Sequence, residues 1–127
     1  RSAPYPSLST YDAPSREFCT VRRVRTNTPL QALTSLNDPY FFAAARAMAK
    51  RMTEEGGASP EDRIRYGFLL TVSRPPSQME LEKVLKFYRE QPDHLAVTGN
   101  PKDAREMAGL TMVANVLMNT DEAITKE

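Results

Sequence analysis

The chain has 127 residues, with 17 basic and 16 acidic side chains for a net charge of +1. That length fits one domain of about 100–150 residues, and the charge balance argues against nucleic acid as a partner, which calls for a strongly basic face. No apolar run approaches the ~20 residues of a bilayer span, so no membrane insertion is expected, and one cysteine with one histidine leaves no material for a disulfide, a metal site or a Ser/His relay. No cofactor is expected.

Residues 1–14 carry Pro4, Pro6 and Pro14 among serines and threonines. Proline fixes φ and removes a donor, which predicts an extended arm or linker pinned to the body through Tyr5, Leu8 and Tyr11. The chain opens without a methionine or a signal-peptide pattern, which is expected of a piece of a larger protein. Residues 15–127 are expected to form one helical domain. Within it, residues 15–27 fit two readings. Ser15 could cap a helical turn, whereas "CTVRRVRT" alternates as an extended segment does. Cys19 reads as a small buried hydrophobe.

Thr28-Pro29-Leu30-Gln31 is a capping box with proline at the first helical position, and Leu30, Leu33 and Leu36 follow at helical spacing. Asp38-Pro39 starts a second helix, with Phe41, Ala45, Met48 and Met52 on one face, Arg46 and Lys50 on another, and Gly56-Gly57 as its stop. Ser59-Pro60 starts a third, with a stripe of Ile64, Phe68 and Val72 that ends before Pro75-Pro76. Ser77-Gln78-Met79-Glu80 is a second capping box, followed by Leu81, Val84, Leu85 and Tyr88. Asn100-Pro101 opens a fifth helix that carries no charge from Met107 to Thr120. A helix apolar all round is a buried one, so this helix is expected at the centre, with the Asn115 amide hydrogen-bonded. Asp121 is expected to cap a last short helix. The fold class is therefore all-α: a single-domain bundle of about five helices with an N-terminal proline-rich arm and a central buried C-terminal helix.

Arg16, Arg22, Arg23 and Arg25, with Asn27 and Thr28 next to them, are the candidate anion- or partner-binding residues. Guanidinium is a planar fork for carboxylates and phosphates, and a helix N-terminus attracts anions. Asn37 and Asp38 are a weaker pair, since helix capping accounts for both. The methionines sit at core spacing and read as packing. No residue set points to catalysis.

The stretch "YDAPSREFCTVRRVRTNTPLQALTSLNDPYFFAAARAMAKRM", with "RIRYGFLLTVSRPPSQMEL" and "VANVLMNTDEAITKE", resembles the C-terminal planctomycete domain of unknown function 1553, the PSD domain, from about Tyr11 to Glu127. The resemblance implies roughly the C-terminal half of that domain, at the end of large extracytoplasmic proteins linked to polysaccharide use, which also carry cytochrome-c-like domains. The haem motif C-x-x-C-H is absent from this chain. The resemblance supplies no catalytic residue; its matching positions are Arg22, Arg23, Arg25, Thr26, Asn27, Thr28, Pro29, Gln31, Asn37, Asp38 and Pro39. The expected function is a non-catalytic module that docks on upstream domains of its own polypeptide. The alternative is one wall of a composite enzyme or binding site for an anionic glycan. An apolar patch beside the arginines favours docking, whereas a concave pocket at the Thr28 helix start favours a ligand site.

Overall fold

The computed structural model describes residues 9–14, 19, 21–22, 26, 28–91 and 101–124. Among these it shows six helices and no strand: α1 (Pro29–Asn37), α2 (Pro39–Glu55), α3 (Pro60–Val72), α4 (Gln78–Glu90), α5 (Pro101–Met118) and α6 (Asp121–Ile124). The all-α class follows from helix starts that are chemically explicit. Thr28 and Ser77 close full capping boxes on Gln31 and Glu80, Asp38 accepts from the Tyr40 amide, and Ser59 accepts from the Asp62 amide. The stops are equally local. Gly57 takes a φ of 102° after α2, and Ser73 turns left-handed at φ 58° to bring the chain into Pro75-Pro76. α6 begins one residue earlier than a cap at Asp121 would allow. The Ala123 and Ile124 amides donate to the Thr120 carbonyl, so Asp121 is its first residue.

α5 is the centre of the bundle. It touches α1, α2, α3, α4 and α6. Leu110, Val113, Ala114 and Leu117 of α5 are buried against Ala45, Ala49 and Met52 of α2, Ile64 and Phe68 of α3, and Leu81 and Leu85 of α4. Two glycines permit the close approach. A Cβ on Gly109 would meet the Tyr88 ring at 2.9 Å, and one on Gly67 would meet the Met52 methyl at the same distance. Asn115, buried on α5, donates its amide to the Leu36 carbonyl at 3.3 Å and so ties the centre to the end of α1. Two of the expectations for individual residues fail. Cys19 is exposed, because it sits in the segment before α1 and outside the core. Met79 is exposed as well, since it lies in the first turn of α4 on the side away from Leu81.

α1 contributes no aliphatic side chain to this core. It buries Gln31 and Ser35 instead and turns Leu30, Leu33 and Leu36 outward. A short helix normally does the reverse.

Candidate functional site

The polar side of α1 builds a hub from three stretches of chain. Gln31, 1 % exposed, accepts the Thr28 amide on Oε1 at 2.9 Å. Its Nε2 donates to the Thr10 carbonyl at 2.8 Å, to Thr26 Oγ1 at 3.1 Å and to Asp12 Oδ2 at 3.3 Å. Asp12 Oδ2 also accepts the Thr26 amide at 2.8 Å and the Thr26 hydroxyl at 2.6 Å. Asp12 can take this place because the described end of the arm is a turn: the Asp12 amide donates to the Ser9 carbonyl, and Asp12 adopts φ 57°, which a short carboxylate tolerates. Tyr11 completes the anchor. Its hydroxyl donates to the Gln31 carbonyl and bonds Ser35 Oγ, and its ring lies 5.7 Å from that of Phe41.

Of the residues singled out from the sequence, Arg16, Arg23, Arg25 and Asn27 lie outside the described residues, as do Tyr5 and Leu8. Arg22 is exposed. Thr28 is the N-cap of α1, with its Oγ1 accepting from the Gln31 amide at 3.3 Å. The Thr28 carbonyl takes the Gln31 and Ala32 amides, and Pro29 has no donor, so this helix start closes largely on its own atoms. Asn37 donates to the Leu33 carbonyl, and Asp38 accepts from the Tyr40 amide.

The outer side of α1 is apolar. Leu30 and Leu33 are each 59 % exposed, Leu36 is 40 %, and Tyr40, just beyond Asp38, is 77 %. Between Thr26 and Asn37 no residue is charged. The polar side chains on this helix are turned onto its own backbone: Thr34 donates to the Leu30 carbonyl, Ser35 to Gln31 and Asn37 to Leu33. The face therefore offers mainly aliphatic and uncharged surface, with Tyr40 at its C-terminal edge. A groove of about 550 Å³ lies elsewhere, between α3 and α4, over Leu81 and Leu85, and is walled by charges of both signs that include Arg65, Glu82, Lys86 and Arg89.

Among the described residues, ion clusters at Arg74, Arg63 and Arg51 brace the bundle, and the sequence patterns do not mark them. Arg74 pairs fork to fork with Glu80 and reaches Glu122 of α6, while also donating to the Pro75 carbonyl and lying 5.9 Å from the Phe68 ring centre. Arg63 of α3 pairs with Glu106 of α5 and donates to the Gly57 carbonyl. Arg51, Glu55 and Tyr66 join α2 to α3. The Arg74 guanidinium holds the Glu80 carboxyl down at about 2, and Arg51 does the same for Glu55. Both carboxyls are ordinary in the unfolded chain and depressed in the folded one. Their contribution to stability is therefore present above the ordinary carboxylate range and is lost as pH falls toward about 2. Urea midpoints measured across that interval should decline for the parent and decline less steeply for Glu80→Gln; equal slopes would mean the Arg74 pair carries none of the acid sensitivity.

Among the described residues, no group of three His, Cys, Asp or Glu side chains could hold a metal ion, and no helix is long and apolar enough to cross a membrane. The family described as protein of unknown function (DUF1553), PSD1, matches residues 1–88. The chain belongs to this DUF1553 family. The matched span takes in the Asp12–Thr26–Gln31 hub, α1, α2, α3 and most of α4. No curated protein and no solved structure matches the chain.

Proposed function

We propose that this DUF1553 chain is a non-catalytic docking module of a multidomain extracytoplasmic protein, and that the leucine face of α1 seats on the polypeptide preceding it. The extracytoplasmic setting rests on the family resemblance alone. The observation that carries the docking reading is the inverted polarity of α1: its amide and hydroxyl side chains are buried while Leu30, Leu33 and Leu36 face outward. Scattered surface leucines need no explanation, but a stripe of them on a helix whose polar side chains are already satisfied marks a contact surface. Its lack of charge fits a lasting interface within one polypeptide, where the buried centre is depleted of charged residues. Among the described residues, the pocket that the structure does show lies elsewhere, between α3 and α4, and not on this face.

The test is thiol labelling. Leu33→Cys in a Cys19→Ser background should react readily with a maleimide in the 127-residue chain and at least about tenfold more slowly in the full-length parent protein. Equal rates in the two would show that nothing in the parent covers α1.

A further inference from the structure

The groove between α3 and α4 shares no residue with the α1 face and has a chemistry of its own. Its floor is Leu81 and Leu85, and it follows α4 from Gln78 to Glu90, which is about 18 Å of helix. At about 550 Å³ it lies in the ~300–1,000 Å³ range of small-molecule sites. No aromatic side chain lines it among the described residues.

The charges around this groove balance in number but not in pairing. Glu82 accepts the Gln78 amide at 2.9 Å, and Lys86 lies 3.9 Å from Glu90 on the same helix. Glu61 stands in the first turn of α3 and Arg89 in the last turn of α4, so each meets a helix end of opposite sign. Arg65 has neither kind of compensation. It sits in the middle of α3, is exposed, and takes part in no ion pair or hydrogen bond among the described residues. A guanidinium with its fork unoccupied therefore stands beside a leucine floor.

We infer that this groove binds a small organic monoanion with an aliphatic body, its carboxylate on Arg65 and its chain over Leu81 and Leu85. The arginine fork matches a carboxylate bidentately and fixes the head. The leucines take the tail out of water, and with no ring to stack on, an alkyl chain fits better than a planar one. A single negative charge matches the single uncompensated cation, and a cationic head would meet a like charge. Arg89, on the opposite wall, is the second donor in the groove. The test of this site is independent of the docking reading, because α1 takes no part in it.

The experiment is an amide chemical-shift titration of the 127-residue chain with sodium octanoate, octylammonium chloride and sodium acetate, for the parent, Arg65→Gln, Arg65→Lys and Arg89→Gln, with helicity checked by circular dichroism. Octanoate should give saturable shifts on α3 and α4, and octylammonium and acetate should not at the same concentrations. Arg65→Gln should weaken octanoate about tenfold or more, Arg65→Lys less because it keeps the charge and loses the fork, and Arg89→Gln about twofold to threefold. Equal binding of octanoate and octylammonium would reduce the site to its leucine floor, and equal binding of acetate would remove the need for a chain; either overturns the inference. So does an absence of saturable shifts, or shifts that lie on α1 and persist in Arg65→Gln, which would place octanoate on the leucine face instead.

Discussion

Replacing Leu110 by alanine is expected to destabilise the chain by about 3–4 kcal/mol, a large part of the ~5–15 kcal/mol that holds a domain folded. Leu110 has no exposed surface and sits on α5, which contacts all the other described helices. Its loss leaves a cavity that several elements border and none can close alone. The transfer and cavity terms then add. Urea denaturation followed by circular dichroism checks this; a loss below about 1 kcal/mol would place Leu110 at the margin of the bundle.

Replacing Gln31 by alanine is expected to cost about 2–4 kcal/mol, which is unusual for a polar residue in a short helix. The side chain makes four bonds to groups from three stretches of chain. Alanine would remove the acceptor of the Thr28 amide and the donor to the Thr10 carbonyl, both part-buried bonds; a hydrogen bond is worth about 0.5–1.5 kcal/mol net, and more where a group loses its partner. Gln31→Glu should not restore stability. It keeps an acceptor for Thr28, but it removes the donor and sets a second carboxylate where the amide now lies 3.3 Å from Asp12. The same substitutions should expose the chain at Asp12 and Thr26 to proteolysis, since both are joined to α1 through the Gln31 amide.

Much of the fold is legible in the sequence because its punctuation is local. A capping threonine, serine or aspartate within a turn of the first helical residue closes on atoms two or three positions away, and such bonds need no knowledge of the rest of the chain. The central helix is legible for a different reason: residues 107–120 carry no charge, and no solvated position tolerates that for four turns. Periodicity fails at α1. Leu30, Leu33 and Leu36 recur as a core stripe would, but spacing reports that residues share a face and is silent on what the face meets. The capping box named Gln31 correctly and hid its larger role, because the bonds from its amide run to residues up to 21 positions away. The Arg74–Glu122 contact, 48 positions apart in sequence, is invisible to any local rule. Cys19 was misjudged by composition, since burial is the commonest fate of a free cysteine but is decided here by the segment it occupies.

The inversion of α1 underlies the proposed docking surface. Its most direct test is the unfolding free energy of Leu33→Ala, measured in urea beside the parent chain. An outward leucine predicts a change within about 0.5 kcal/mol, whereas a loss above about 2 kcal/mol would put Leu33 in the core and α1 the ordinary way round.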